Sequence, residues 1–329
     1  MQNTSKLLIG LLGLLPAVAF ADHTTIGLQG NVTGPSTTSS ANPMDAGKMG
    51  FTLQFQQVNF DAISDADFEH AAENDEDVHG TDSITNTGFA FTYGMSDRLT
   101  LGFSIANIRR SGLVEAAHHD DEGEAGPHAE EEEIIEHLGS ASGLGDARLY
   151  ASYQLFSGAS SSTSVLFGIK APTGETGEVS NDGERLEAEF QPGSGSWDTL
   201  LGLAFTQQLS SWTINSNVLY TFASEGSQDT DLGDVFNYNL AASHALPKFG
   251  PFNESPWNLD FVFEVNGEWR DNVKIAGESE RHSGGNIIYF APGLSLSNDK
   301  IFINASISKA VDNLNGIQSE PETRDQVRG

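Results

Sequence analysis

Nine histidines and 46 acidic residues are the groups in this 329-residue chain best suited to chemistry, and they are unevenly placed. His70 and His79 lie in one stretch, and His118, His119, His128 and His137 lie in a second. Nine acids fall between Asp61 and Asp82 and ten between Glu115 and Glu136, so two segments hold 19 of the 46. Imidazole suits Zn²⁺, Cu²⁺ or Ni²⁺, and carboxylates can complete the shell. Within 130–137 a helical turn would stack Glu133 over His137 at i, i+4, giving a two-ligand face. The remaining spacing is irregular, without an H-E-x-x-H pair. Acidic stretches of this kind are ordinarily solvated and self-repelling. A third use is a pH response, since imidazoles charge below about pH 6.5 and would offset part of the acid.

A second charged set is embedded in apolar segments: Asp146, Arg148, Lys170, Asp198, Asp260, Glu264, Glu268 and Arg270. The elements that carry them read as strands. In 212–222, Trp212, Ile214, Val218, Tyr220 and Phe222 share one face, while Thr213, Asn215, Asn217 and Thr221 share the other. Residues 257–270 repeat the rule, with Trp257, Leu259, Phe261, Phe263, Val265 and Trp269 opposite Asp260, Glu264, Glu268 and Arg270. Aromatics near both ends of an apolar stripe are the girdle pattern of a strand that meets lipid on one side. Weaker segments of the same kind lie at 48–60, 84–95, 99–108, 144–156, 162–170, 196–209, 235–246, 286–297 and 301–311, making eleven.

The connections alternate in length. Those at 61–83, 109–143, 171–195, 225–234 and 271–285 are long. Those at 96–98, 157–161, 210–211 and 298–300 are short, and 247–256 is intermediate. Long loops outside and short turns in the periplasm give an outer-membrane barrel this rhythm. The expected fold is therefore all-β, a transmembrane antiparallel β-barrel of about twelve strands over 48–329. Its twelfth strand would open at 325–329 and be cut short; the alternative is closure by 22–32. Mid-strand charges cost about 2–4 kcal/mol against lipid for a central Arg or Lys, so these eight charged residues should face the lumen. There they either form a pore-lining ladder that sets solute preference or salt bridges that fill a narrow interior.

Lys6 followed by an apolar run from Leu7 to Phe20 and Ala19-Phe20-Ala21 reads as a signal peptide over 1–21, cleaved after Ala21. Residues 22–47, rich in Ser, Thr, Pro, Gly and Asn from 33, read as a flexible periplasmic lead-in. The destination is the outer membrane of a Gram-negative cell, with membrane lipid and a small-molecule solute as partners. A formal charge of −30 and a pI near 4.3 repel phosphate backbones, excluding nucleic acid. The absence of cysteine excludes disulfides and thiol chemistry. Neither a G-x-S-x-G nor a phosphate-binding glycine loop occurs, and His244, on an apolar phase beside a short turn, reads as an interface residue. No enzyme is expected, and no cofactor beyond a divalent metal at the outer loops.

Four motifs carry a family resemblance. Gly143-Leu-Gly-Asp146-Ala-Arg148 opens one strand, and Lys170-Ala-Pro172-Thr173-Gly174 closes the next. Ser196-Trp197-Asp198 opens the one after, and Ala291-Pro292-Gly293 lies in the tenth. In this order the chain resembles the outer-membrane proteins of the MetA-pathway of phenol degradation family over about 45–329. The resemblance implies a barrel conduit for small aromatic or otherwise hydrophobic compounds. The chain departs from the pattern in lacking the final strand with its aromatic end and in its two acidic, His-bearing loops. Two other readings stand beside the conduit: a surface metal-binding barrel and a structural barrel with a blocked lumen.

Overall fold

The computed structural model describes residues 35–60, 79–116, 135–248, 256–280 and 283–311. These form β1 (Met49–Asn59), β2 (His79–Gly80), β3 (Ser83–Ser96), β4 (Leu99–Ala116), β5 (Ile135–Leu144) and β6 (Ala147–Ser157). Next come β7 (Ser161–Ala171), β8 (Asp198–Leu209), β9 (Trp212–Phe222), β10 (Thr230–Asp231), β11 (Val235–Ala245) and β12 (Asn258–Arg270). The chain continues through β13 (Lys274–Ile275), β14 (Glu278–Ser279), β15 (Gly285–Ser297), β16 (Phe302–Ser306) and β17 (Lys309–Val311). Among the described residues no helix is long and apolar enough to cross a membrane.

The long strands form one antiparallel meander in chain order, β1-β3-β4-β6-β7-β8-β9-β11-β12-β15-β16. β5 continues β6 on the flank of β4, and β17 continues β16 on the flank of β15. The result is a strongly curled sheet of eleven strand lines, a half-barrel. The eleven expected segments all become strands. Both segments proposed for closure, 22–32 and 325–329, lie outside the described residues.

Alternation of side chains gives the sheet two unlike faces. Phe51, Leu53 and Phe55 on β1 are exposed, Leu53 to 80%, as are Leu201, Leu203 and Phe205 on β8 and Phe261 and Phe263 on β12. The concave face instead buries Asn86, Thr92, Ser104, Ser164, Thr206, Asn215, Asn217, Glu264 and Asn266. This polarity inverts that of a water-soluble sandwich, whose apolar face is the buried one.

Two expectations are corrected here. The second long loop does not begin at 109: β4 runs on to Ala116 and returns as β5, with Arg109↔Ser142 and Glu115↔Glu136 in register. The extension is stabilised because the connection from β7 to β8 folds against it. Leu186 and Phe190 of that connection pack with Leu113, Leu138 and Ala141 in one buried cluster. The second correction concerns residues 36–44. The sequence of 22–47 reads as a flexible periplasmic lead-in, whereas residues 36–44 cross the concave face of the sheet as a strap. Ala41 completes a buried cluster with Tyr150, Leu166, Leu200, Ala204 and Leu219. Serine, threonine, asparagine and proline left this segment without a period of its own, so its partners had to come from the sheet.

Candidate functional site

β6 begins, β7 ends and β8 begins at the long-loop end of the sheet, and this places three of the sequence motifs side by side. Lys170 pairs with Asp198 across the strands. Its Nζ touches Asp198 Oδ2 and lies 3.4 Å from Asp146 Oδ2, with all three side chains at most 12% exposed. Ser194 ties the trio together: its Oγ accepts from Lys170 Nζ at 2.6 Å and donates to Asp146 Oδ2 at 2.6 Å. Ser196 Oγ donates to Asp198 Oδ1 at 2.8 Å. Asp146 Oδ1 also accepts the Gly174 backbone N–H at 2.9 Å. Two glycines permit this closeness, Gly174 of the second motif and Gly193, since a Cβ on Gly174 would sit 2.5 Å from the Cα of Gly193.

The group lines a cavity of about 100 Å³ on the concave face. Asp146, Arg148, Lys170, Asp198 and Arg270 line it, together with Asn86, Asn237 and the apolar Ile108, Leu200 and Val235. Glu268 stands at its edge, accepting from Arg270 Nη2 at 3.0 Å and from Asn237 Nδ2 at 3.1 Å. Six of the eight sequence-predicted lumen residues are thus brought together. Asp146, Asp198 and Glu268 are the charges acting on Arg148, so cations and carboxylates interleave.

The other two lie elsewhere. Glu264, fully buried, holds the strap. Its Oε1 accepts the Ser36 N–H at 2.6 Å, and its Oε2 accepts the N–H of Thr37 and Thr38 and the Thr38 hydroxyl at 2.9–3.0 Å. The strap continues through Ser39 N–H to Asn217 Oδ1 at 2.8 Å and Ala41 N–H to Thr206 Oγ1 at 2.9 Å. Ser164 Oγ donates to the Ala41 carbonyl at 2.6 Å, and Met44 N–H donates to Thr100 Oγ1 at 2.8 Å. Asp260 sits in the short-turn half, where β11 and β12 pair Ala245 with Asp260. Its neighbour His244 packs its ring 4.4 Å from that of Trp212.

Of the residues expected to bind metal, His70, His118, His119, His128 and Glu133 lie outside the described residues. His137 belongs to β5 rather than to a helical turn, because pairing with β4 fixes it as strand. Its side chain is exposed. His79 is different. β2 pairs it with Glu115 of β4, and its Nδ1 lies 2.7 Å from Glu189 Oε1. Its Nε2 is 3.7 Å from Glu115 Oε2 and 3.6 Å from Glu187 Oε2. Phe190 meets the imidazole edge-on with ring centroids 5.0 Å apart.

Residues 83–318 match the model of the family described as "Putative MetA-pathway of phenol degradation". The chain belongs to this family. Among solved structures it is similar to the COG4313 outer membrane channel from Pseudomonas putida F1, at 14% identity and a TM-score of 0.52. That similarity covers 83% of this chain and 91% of the channel's, and it extends to the fold. None of the curated proteins matches the sequence.

In this family member several site residues escaped sequence reasoning. Ser194 lies in the connection 171–195 and Ser196 at the opening of the 196–209 segment, and nothing local marks them as ligands of Asp146 and Asp198. Glu187 and Glu189 carried a signal that passed unnoticed. In Leu186-Glu187-Ala188-Glu189-Phe190 the apolar residues alternate with acids, and Leu186, Ala188 and Phe190 are buried. Period-2 alternation inside a supposed loop marks a segment packed against a sheet.

Proposed function

We propose that the chain is an outer-membrane channel for small solutes of aromatic or otherwise hydrophobic character. On this reading the apolar convex face lies in lipid and the polar concave face lines the path. The observation that carries it is the inversion of the faces: large apolar residues exposed on the convex side, with interleaved charges around a cavity on the concave side. A convex surface of Leu53, Phe55, Leu203, Phe205 and Phe261 would be costly in water and is free of that cost in hydrocarbon. The cavity is on the order of the roughly 150 Å³ that holds a benzene ring. Its mixed walls offer apolar contact beside Lys170, Arg148 and Arg270. The family description and the fold of the Pseudomonas channel support the same reading, as does the export signal over 1–21.

Reconstituted in planar bilayers under a salt gradient, the protein should give discrete conductance steps. Glu268→Lys should move the reversal potential toward anion preference, because Glu268 stands at the cavity edge. A folded protein without steps would overturn the open path. One observation favours the competing reading of a blocked lumen: the strap at 36–44, hydrogen-bonded from β4 to β12. Deleting 36–44 separates the two, since steps that appear only after deletion would make the strap a plug.

A further inference from the structure

We propose that His79, Glu115 and Glu187 form a binding site for an exchangeable divalent transition-metal ion, with Glu189 as the positioning residue of the imidazole. The three ligand atoms, one nitrogen and two carboxylate oxygens, lie within 4.8 Å of one another. They come from three separate parts of the chain: β2, β4 and the connection between β7 and β8.

The two nitrogens of the imidazole meet their carboxylates at different distances. The two carboxylate oxygens on the Nε2 side stand 3.6 and 3.7 Å away, beyond good hydrogen-bond length. Those are the separations of atoms sharing one ion. Two ligands at roughly 2.0–2.1 Å from zinc, subtending angles of about 110–120°, lie roughly 3.4–3.6 Å apart. The Nδ1 side behaves differently, meeting Glu189 at 2.7 Å. A carboxylate on one imidazole nitrogen fixes the tautomer that presents the other nitrogen's lone pair, the usual outer partner of a metal-ligating histidine. Phe190, edge-on at 5.0 Å and 2% exposed, holds the ring plane. Glu187 has a side chain 49% exposed, so the cluster opens toward solvent on that side, where water would complete the shell.

One imidazole and two carboxylates select the class of ion. Imidazole suits zinc, copper, iron and nickel, whereas Ca²⁺ and Mg²⁺ take oxygen ligands. Three protein ligands with an open fourth position make an exchangeable site rather than a closed structural one. A bound ion would also fasten the Leu186–Phe190 segment to the β4–β5 hairpin, since its ligands come from both.

The test is zinc titration calorimetry on the refolded full-length protein, with the folded state verified for each variant by circular dichroism. One site of higher affinity is expected. It should survive replacement of His70, His118, His119, His128 and His137 together by alanine. It should weaken at least tenfold in the isosteric Glu187→Gln and Glu115→Gln and vanish in His79→Ala. Glu189→Gln should weaken it about 10–100-fold, the usual range for an outer partner, while leaving the ligand set intact. Zinc-edge X-ray absorption should then report a single imidazole among oxygen donors. Zinc binding that is absent, unchanged in His79→Ala, or lost when only the other five histidines are removed would overturn the site.

Discussion

Two carboxylate-rich clusters sit in the long-loop half of the sheet, and they differ in what stands between the acids. Around Asp146 and Asp198 it is the Lys170 side chain, touching Asp198 and 3.4 Å from Asp146. Around Glu115, Glu187 and Glu189 it is the imidazole of His79. An imidazole brings positive charge only with a second proton, and without it brings a lone pair. The same side-chain type, a carboxylate in the long-loop half, therefore does different work. In the first cluster it is neutralised and locked, shaping a cavity wall. In the second it is the proposed ligand of an ion taken from solution. Glu264 follows a third course, satisfied by three backbone N–H groups and a hydroxyl rather than by a cation.

The contrast can be broken most forcefully at Lys170. Lys170→Met leaves two buried carboxylates without their shared counter-ion and should destabilise the fold by about 3–5 kcal/mol in chemical unfolding. Adding Asp198→Asn to Lys170→Met should return part of that loss. A single variant as stable as the parent would mean that the lysine is not what holds the acids. Next in size is Glu264→Ala, which strands the strap's N–H groups on a buried face. It should cost about 3 kcal/mol and raise conductance as residues 36–44 loosen. Unaltered conductance would place the strap off the solute path. The smallest change is the most pointed one. His79→Lys gives the outer cluster the inner cluster's centre, so stability in metal-free buffer should move by less than about 1 kcal/mol while zinc uptake disappears. Retained zinc uptake would show that the two clusters do not differ as described.

Much of this was legible along the chain. Alternation in 212–222 and 257–270 told which residues share a face, and the long-short rhythm of connections ordered eleven strands into a meander. Mid-strand charge put Asp146, Arg148, Lys170, Asp198, Glu268 and Arg270 on the concave side, where they now line or border one cavity. Less legible were the strap and the hairpin extension to Ala116. Residues 36–44 have side chains too small and polar to show a period, and their order comes from Glu264, Asn217 and Thr206, which lie more than 160 positions away. The extension of β4 depends on Leu186 and Phe190, which belong to a segment that reads as loop.

The sequence by itself determined the faces, because a strand's side chains alternate with period two whatever its neighbours are. It could not determine lateral neighbours. Which of two inward charges sits within 4 Å of a third depends on the register of each strand pair and on how far each loop folds back, both set by distant packing. Lys170 is 24 residues from Asp146 and 28 from Asp198, and only the pairing of β6, β7 and β8 makes the three one cluster. His79 likewise had a legible chemistry and no legible partners. Tertiary structure decided that its neighbours among the described residues include Glu115, Glu187 and Glu189, because coordination and charge pairing act over a few ångströms of space and not along the chain.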